Sequence, residues 1–415
     1  MRNFWNTARK KLRKRKIFSC LILICFISTG ISSIIPQGYA WDWPFLYPNS
    51  PAQNLLSLGN PPATLSTWVF YDELDLGQRG PTLIVRNPYT FAAAYQNCED
   101  RKGQNYAREP EFIHGDDDCF VLYQDMRGTG DSNGGFDVFG SDWKDGYDLI
   151  QWLKNNAGFE TWWYNGKIGS WGGSALGINQ FCYAGENIPE LIAQYIATAS
   201  PEQYNHIAME GGQMRYNLIC TWTGGFNGGI EYVRDVVTQH PTKDSWWDKR
   251  SLMDLDMQGN INPSGHNRAQ NVHASGVHVG GWDDVFSEGT ITGYLEYNYY
   301  GSSSAQNHQI LYMAPMGHGY PVSELSFPNW DSPPSGGDVG DLEEWLFQTE
   351  FYFDRGTSSY NSRWTAHDKV YYYVCSDPDI SDSNVNKWRT VNSWPVYNVG
   401  QKWYFWPVQT SGMAT

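Results

Sequence analysis

The chain has 415 residues, a formal net charge of −15 and an aromatic content of 16%. This length exceeds one ordinary hydrophobic core, so more than one domain is expected. The negative charge repels phosphate backbones and anionic lipids, which argues against nucleic acid as a partner.

The first 40 residues have the pattern of an export signal. Eight basic residues lie among the first 16, and an apolar run follows from Ile17 to Ile35. The small-residue pattern Gly38-Tyr39-Ala40 predicts cleavage after Ala40, which would leave 21 Lys and Arg against 44 Asp and Glu. An uncleaved membrane anchor is the alternative, although serines dilute the apolar run. We therefore expect an exported protein, extracellular or periplasmic, with no stable membrane partner after cleavage.

Five of the seven cysteines lie beyond this segment, so at least one thiol is free or paired between chains. The preferred disulfide in an exported protein joins Cys98 and Cys119, and two buried thiols are the alternative. The cysteines lack zinc-site spacing. The acidic run from Asp377 to Asp382 lacks the central glycine and closing glutamate of a calcium loop, so no metal is expected.

Short apolar runs alternate with helical patterns from Pro81 to Pro315, which predicts a parallel sheet with helices on both faces. One predicted helix is Asp142–Asn155, whose three aspartates are interpreted as solvated charges rather than a metal site. The predicted strands are Thr82–Arg86, Phe120–Gln124, Lys167–Trp171, Leu191–Thr198, Val277–Gly281 and Gln309–Met313.

This alternation divides the mature chain into an α/β core in two parts, residues 41–200 and 276–349, separated by a mostly helical cap at 201–275. From residue 350 the pattern changes, and Val370–Val374 and Lys402–Trp406 predict strands of a separate C-terminal β domain. Only about 65 residues remain there. An eight-stranded jelly roll needs more, so this domain is expected to be incomplete.

A glycine-rich turn between a predicted strand and a helix contains Ser174. A nucleophile elbow holds its serine in a strained conformation and needs small neighbours, which Gly172, Gly173 and Gly177 supply. Leu176 occupies the position of the second glycine in Gly-x-Ser-x-Gly, so the turn by itself also fits a packing role.

Two further candidates follow later strands, since Asp283 and Asp284 come after one strand and His318 after the next. Serine, aspartate and histidine in this order, each beyond the carboxyl end of a strand, are typical of serine hydrolases with a parallel sheet. The alternatives are a helix N-cap for the aspartates and a surface position for His318. The glycines from Asp125 to Gly134 do not match a dinucleotide loop, and no cofactor is expected.

Several motifs recur in order along the chain. They are Arg86-Asn87-Pro88-Tyr89, the run from Asp125 to Gly134, Trp152 with Asn165-Gly166-Lys167, the run from Gly172 to Gly177, Gly281-Trp282-Asp283-Asp284, Pro315-Met316-Gly317-His318-Gly319 and Trp388 with Trp394-Pro395. From about Leu65 to Trp406 the chain thereby resembles the cocaine esterase and X-prolyl dipeptidyl aminopeptidase family of α/β hydrolases. The resemblance implies an α/β-hydrolase core with an inserted helical cap and a C-terminal β domain.

The resemblance also implies residue roles, with Ser174 as nucleophile and His318 as general base. Asp284 rather than Asp283 is the triad acid, because the family pattern is Gly-Trp, one variable residue, then Asp. The family's serine motif has its second glycine one place late, which fits Gly177. Tyr89 matches a tyrosine that supplies half of the oxyanion hole, and the backbone N–H of Ala175 would supply the other half. Packing alone is the alternative role for Tyr89.

The expected function is therefore that of a secreted serine hydrolase that cleaves an acyl ester or amide, or a short peptide. An X-Pro dipeptidyl-peptidase and a non-catalytic binding protein with the same fold are the alternatives. In the family's amino-ester branch, acidic residues just after the triad acid bind the substrate ammonium. Here Val285, Phe286 and Ser287 follow Asp284, and Glu288 is the nearest acidic residue, so that branch is not favoured.

Overall fold

A computed structural model describes residues 52–58, 62–70, 79–89, 119–156, 161, 163–248, 250–252, 268–318, 327–334, 337–377, 379–380 and 382–395. The export segment, Cys98 and Lys402–Trp406 lie outside these residues, so the predictions made for them, including the Cys98–Cys119 disulfide, stay predictions. Within the described ranges, no helix is long and apolar enough to cross a membrane.

A ten-stranded, mostly parallel sheet forms the centre of the described chain, and all six predicted strands belong to it. Its strands, in spatial order β1-β2-β4-β3-β5-β6-β9-β10-β11-β12, are parallel from β4 to β11. The antiparallel pairs of this sheet are β1 with β2, β2 with β4, and β11 with β12. The bounds are β1 Ala52–Leu58, β2 Ala63–Phe70, β3 Gly80–Asn87, β4 Phe120–Asp125, β5 Tyr164–Gly173, β6 Leu191–Ala197, β9 Ser275–Gly281, β10 Gln309–Ala314, β11 Val370–Val374 and β12 Lys387–Val391.

Helices cover both faces of the sheet, because successive side chains of a strand point to opposite faces. Ile84 of β3 packs in one hydrophobic cluster with helices α1 (Asp142–Asn155) and α2 (Ala175–Ala184). Leu83 and Val85 pack in a second cluster with α7 (Val339–Tyr352) and α8 (Ser358–Thr365). A sheet buried on both sides explains why its strands appear in the sequence as continuous apolar runs. The predicted α/β-hydrolase fold class is confirmed.

We call residues 201–275 the helical insertion, and its described residues form three α-helices. Its helices are α3 (Tyr216–Thr223), α4 (Gly229–Thr238) and α5 (Ser245–Asp248), and a short antiparallel pair, β7 (Met209–Glu210) and β8 (Gln213–Met214), precedes them. After β9, α6 (Ser287–Leu295) leads toward β10. The insertion contacts the core near the carboxyl ends of the strands, because Arg215 donates to the carbonyl of Val285 at 2.7 Å.

The boundary predicted at residue 350 is wrong for the described residues. Helix α7 continues through it to Tyr352, and α8 follows. Strand β11 then pairs in parallel with β10, with Leu311 opposite Val370, so Val370–Val374 extends the central sheet instead of starting a separate β domain. The physical reason is burial: Val370 and Tyr371 are almost inaccessible and complete the core around β10 and α7.

The interpretation of the three α1 aspartates as solvated charges is wrong for two of them. Asp142 and Asp145 are buried, and each forms an ion pair with a buried arginine, Asp142 with Arg86 and Asp145 with Arg127. Asp148 remains partly exposed and pairs with Lys144. Burying a carboxylate requires a partner charge and hydrogen bonds, so the pairing explains how these two can leave the solvent.

Candidate active site

Ser174 lies in a strained turn between β5 and α2. Its backbone has φ 55° and ψ −126°, outside the regions that non-glycine residues usually occupy. The turn is held in place because the N–H of Ser174 donates to the carbonyl of Ala197 on β6, at 2.9 Å. Strain of this kind, imposed by neighbouring strands at the end of a sheet, is characteristic of a nucleophile elbow.

Two glycines of this turn lie so close to neighbouring residues that a side chain would not fit there. A Cβ on Gly172, whose φ is +153°, would lie 2.3 Å from Cβ of Leu176. A Cβ on Gly177 would lie 2.7 Å from Cβ of Ala199, at the end of β6. The second contact explains why the glycine one place after Leu176 is needed, because any side chain there would overlap Ala199.

Alanine at Gly172 is expected to destabilise the protein more than alanine at Gly173. The Gly172 Cβ would overlap Leu176, whereas the nearest atom to a Gly173 Cβ is the Ala197 carbonyl oxygen at 3.3 Å. Overpacking of this kind costs about 1 to 3 kcal/mol. Thermal unfolding of the two variants measures the difference, and equal melting temperatures would show that the elbow can relax around Leu176.

Three predicted side chains form a continuous hydrogen-bonded chain. Ser174 Oγ lies 2.8 Å from His318 Nε2, and His318 Nδ1 lies 2.9 Å from Asp284 Oδ1. Ser174 is half-buried, the His318 side chain is 38% exposed and the Asp284 side chain is inaccessible. A carboxylate only accepts hydrogen bonds, so Nδ1 carries the proton and Nε2 presents its lone pair to the serine hydroxyl.

The loop after β9 places Asp284, and not Asp283, beside His318. Asp283 is exposed, and its N–H donates to the carbonyl of Met316 at 3.1 Å, which ties this loop to the one that carries His318. Asp284 Oδ1 accepts a second hydrogen bond from the N–H of Phe286, at 3.1 Å. The structure thus brings Asp284 to His318 and directs Asp283 to solvent.

Phe286 is a site residue that the sequence reasoning missed. Its ring is buried and stands edge-on to the His318 imidazole, with ring centroids 5.2 Å apart. This contact shields one side of an otherwise exposed ring and limits its rotation. The sequence does place an aromatic residue two positions after Asp284, but an apolar residue in a predicted loop suggests packing equally well.

The two predicted oxyanion donors come from neighbouring strands, because β3 precedes Tyr89 and β5 precedes Ala175. Ala175 is the first residue of α2, so its N–H has no acceptor within the helix. Tyr89 is 37% exposed, and its N–H donates to Asn87 Oδ1 at 3.0 Å. The Tyr89 hydroxyl oxygen accepts a hydrogen bond from the indole N–H of Trp222, at 3.1 Å. Trp222 was not among the predicted site residues.

The glycine-containing loop after β4 is fixed by buried polar contacts. Arg127 donates two hydrogen bonds to the Asp145 carboxylate, at 2.9 and 2.6 Å, as expected of an arginine that anchors a loop. Asp125 accepts from the Tyr123 hydroxyl at 2.6 Å and from the Asp131 N–H at 3.0 Å. Burial raises the pKa of Asp125, and these two hydrogen bonds oppose that effect. The contacts indicate a structural role for this loop.

A cavity of about 720 Å³ lies between the Asp284 loop and the helical insertion. Its walls include His206, Glu210, Arg215, Trp282, Asp284 and Glu288. Glu210 and Arg215 pair with each other at 2.9 Å, whereas the Glu288 side chain is 84% exposed and its Oε1 lies 3.8 Å from His206 Nε2. Within the described ranges, no cluster of three or more His, Cys, Asp or Glu side chains is arranged to hold a metal ion.

A second serine–histidine contact, between Ser200 and His206, has the wrong geometry for a nucleophile and base. Ser200 is 1% exposed, and its hydroxyl lies 3.1 Å from His206 Nδ1 and 2.9 Å from the Glu202 carbonyl that it donates to. Burial lowers the pKa of His206. A substrate carbonyl cannot reach a serine that is covered in this way, so Ser174 is the better candidate.

Comparison with known proteins supports the family resemblance found in the sequence. The family model of X-Pro dipeptidyl-peptidase (S15 family) matches residues 75–229, which include Tyr89, Ser174 and Ala175. The resemblance to this family is confirmed. Cocaine esterase from Rhodococcus sp. (strain MB1 Bresler) is 29% identical over 155 residues, which make up 36% of this chain and 24% of that protein.

Solved structures agree on the fold. A CocE/NonD family hydrolase from Staphylococcus aureus superimposes with a TM-score of 0.55 at 17% identity, covering 84% of this chain and 57% of that protein. An aminopeptidase from a Thaumarchaeota archaeon gives a TM-score of 0.52 at 15% identity, covering 88% and 62%. The chain thus spans less than two thirds of the length of these relatives, and at this identity the likeness concerns the fold alone.

Proposed function

We propose that this protein is a serine hydrolase that cleaves an acyl ester or amide through a covalent acyl-enzyme. The observation that carries the proposal is the chain of hydrogen bonds from Ser174 through His318 to the buried Asp284. A nucleophile within reach of a base, with the base oriented by a third group, is the arrangement that activates a serine hydroxyl. The match to an S15 family model over the serine elbow supports the same reaction class.

Acylation begins when Ser174 Oγ attacks the substrate carbonyl carbon. Its proton passes to His318 Nε2, and the electron pair of the carbonyl bond moves to the oxygen. Asp284 stabilises the imidazolium that forms, because its carboxylate accepts the Nδ1–H. When the tetrahedral intermediate collapses, His318 gives the proton to the leaving alcohol or amine, and the acyl group remains on Ser174.

Deacylation repeats these steps with water as the nucleophile. His318 takes a proton from the water, a second tetrahedral intermediate forms, and Ser174 Oγ leaves with the proton returned by His318. The products are a carboxylic acid and the free serine, and the proposed reaction requires no cofactor. The 38% exposure of the His318 side chain is consistent with entry of water at Nε2.

The oxyanion of both intermediates needs donors that are in place before charge develops. We assign the Ala175 N–H and the Tyr89 hydroxyl to this role. The first residue of α2 offers an N–H at the positive end of the helix, and the elbow places that residue directly after the nucleophile. Tyr89 follows β3, the strand next to β5.

Phenylalanine at Tyr89 is expected to lower kcat by about 10²- to 10³-fold with little change in KM, because one oxyanion donor is lost. The ring remains, so stability should change little. Steady-state kinetics and thermal unfolding measure both quantities. Normal turnover would show that other donors form the hole, whereas loss of activity through unfolding would favour the packing role for Tyr89.

The substrate class of this proposal is a small acyl ester, an amide or a short peptide. The 720 Å³ cavity adjoins Asp284, and its walls combine Trp282 and Met214 with charged side chains, but Ser174 and His318 do not line it, so its volume does not define the acyl pocket. Hydrolysis of a panel of acyl esters, compared with X-Pro anilides, separates an esterase from an X-Pro dipeptidyl-peptidase. Lack of turnover on every substrate, with no covalent labelling, would favour a binding protein with this fold.

Covalent labelling with a fluorophosphonate probe tests the nucleophile directly. We expect one labelled peptide, which contains Ser174, and no label in a Ser174→Ala variant. Ser200→Ala is the matched control, because Ser200 also contacts a histidine but is covered by the fold. Label on the Ser200 peptide, or label retained by Ser174→Ala, would contradict the assignment.

We also propose that the protein is exported. The support is the basic start of the chain, followed by the apolar run from Ile17 to Ile35 and by Ala40 in a cleavage pattern. Mass spectrometry of the protein made in an exporting host should find a new N-terminus at Trp41. An intact N-terminus in a membrane fraction would instead indicate an uncleaved anchor.

A further inference from the structure

We propose that Trp222 of the helical insertion is a positioning residue for the Tyr89 hydroxyl, so that the insertion completes the oxyanion hole. The inference rests on the proposed function, in which Tyr89 stabilises the oxyanion. It adds a residue from outside the α/β core to that site. The contact that carries it is the 3.1 Å hydrogen bond between Trp222 Nε1 and the Tyr89 hydroxyl.

The direction of this hydrogen bond is fixed by chemistry. An indole N–H only donates, whereas a phenol oxygen can accept and its O–H can donate at the same time. Trp222 therefore occupies a lone pair of the Tyr89 oxygen and leaves the phenol proton available. Among the described residues no acceptor takes that proton. A hydroxyl that accepts one hydrogen bond is also a stronger donor in the next, by a cooperative effect of about 10 to 30%.

Trp222 can hold the hydroxyl because three phenylalanines fix its own ring. It stacks on Phe139 with ring centroids 5.6 Å apart and an interplanar angle of 10°. It meets Phe136 and Phe226 edge-on, at 5.8 and 5.4 Å. Phe136 and Phe139 are buried in the core, and we call these two residues, on which the indole packs, the platform.

The platform itself is held in an unusual backbone conformation. Val138 and Phe139 have φ values of 49° and 66°, in the left-handed region that β-branched and bulky residues rarely adopt. Both side chains are 1% exposed. Backbone strain persists only where surrounding structure imposes it, and here it places the Phe139 ring flat under the indole.

The insertion is attached to the same platform by its backbone. The N–H of Phe136 donates to the carbonyl of Asn227, at 3.1 Å. In the turn between α3 and α4, Gly228 has φ +98°, and a Cβ there would lie 2.6 Å from the Phe136 carbonyl oxygen. The end of α3, which carries Trp222, is thus closely fitted to the core beside Tyr89.

Within the described part of the chain, the bond from Trp222 is the hydrogen bond that orients the Tyr89 side chain. Tyr89 is 37% exposed, and its ring lies 6.3 Å from Phe226 in a tilted contact. Without the indole N–H, the phenol could turn toward solvent and its proton would be directed to water. An oxyanion donor must be oriented before the reaction, so loss of orientation should appear in kcat rather than in KM.

A double-mutant cycle between Trp222 and Tyr89 tests the inference in the full-length protein. Trp222→Phe keeps an aromatic ring but removes the N–H, and it should lower kcat about 3- to 10-fold with KM nearly unchanged, the range expected for one net hydrogen bond. In the Tyr89→Phe background the same change should have no further effect on kcat. Trp247→Phe is the control, since it also removes an indole N–H bond within the insertion, to the His240 carbonyl, without contacting Tyr89.

The outcomes separate the inference from the function on which it rests. Wild-type kcat in Trp222→Phe, or an equal loss in the wild-type and Tyr89→Phe backgrounds, would overturn the inference while Ser174 labelling still supports a serine hydrolase. A similar loss in Trp247→Phe would also overturn it, because general packing of the insertion would then explain the effect. Absence of labelling and turnover in the wild type would refute the proposed function, and the inference with it.

Discussion

Replacing Ser174 with alanine is expected to lower kcat by ~10³-fold or more, because the change removes the proposed nucleophilic oxygen. In the proposed mechanism the hydroxyl oxygen forms the acyl-enzyme, and no other described serine combines partial exposure with a histidine Nε2 at 2.8 Å. The residual reaction would proceed without a covalent intermediate, assisted only by the oxyanion donors and substrate binding.

The fold should tolerate this change. Alanine is no larger than serine, and the backbone hydrogen bond from residue 174 to the Ala197 carbonyl does not involve the side chain. The melting temperature should therefore stay close to that of the wild type. Single-turnover kinetics with an activated acyl ester measure the loss, and residual activity above about one per cent of wild type would count against Ser174 as nucleophile.

The central sheet was predictable because its strands obey a simple rule. A parallel strand buried on both faces appears as a short apolar run bounded by turn residues, and Thr82–Arg86 and Gln309–Met313 both have this form. In the structure, β3 extends to the polar residue Asn87 and β10 extends by one residue to Ala314. A polar side chain at a strand end, such as the buried Asn87, is placed by its particular hydrogen-bond partners. Hydrophobic periodicity therefore does not predict where the strand ends.

The end of the core was mispredicted for a related reason. Helix α7 mixes acidic residues, Asp341, Glu343 and Glu344, with the aromatic residues Trp345 and Phe347. Its apolar face is therefore hard to recognise in the sequence, and the helix does not stand out as part of the core. Strand β11 has three consecutive tyrosines between two valines, a composition that suits a half-exposed antiparallel strand as well as a parallel strand. Which strand becomes the neighbour of β10 depends on contacts between residues that are about 60 positions apart, and a local pattern contains no information about that pairing.

The candidate site divides in the same way. Ser174, Asp284 and His318 could be predicted because each follows a strand, and the carboxyl ends of parallel strands meet at one edge of the sheet. Trp222 could not, because it reaches Tyr89 across 133 residues from an insertion whose position no local rule fixes. The buried pairing of Asp142 with Arg86 was missed for the same reason, since a helix with three aspartates suggests a solvated face until its partner is known.

Asparagine at position 284 is expected to reduce kcat/KM by about 10⁴-fold, whereas asparagine at position 283 should change it less than about threefold. The two residues are adjacent and the substitutions identical, so the comparison isolates the contact with His318. Asp284 Oδ1 accepts from both His318 Nδ1 and the Phe286 N–H. Asp283 is exposed and contributes through its backbone N–H, which asparagine retains.

The size of the Asp284→Asn effect follows from its surroundings. The asparagine carbonyl oxygen can replace Oδ1 in both hydrogen bonds, so the loop should keep its shape, but the negative charge that stabilises the imidazolium is lost. The amide NH₂ would occupy the place of Oδ2, which is buried and has no partner in the described part of the chain. Kinetics on one ester substrate, together with thermal unfolding, measure both consequences. Equal losses in the two variants, or a larger loss at position 283, would show that the acid of the triad has been assigned to the wrong residue.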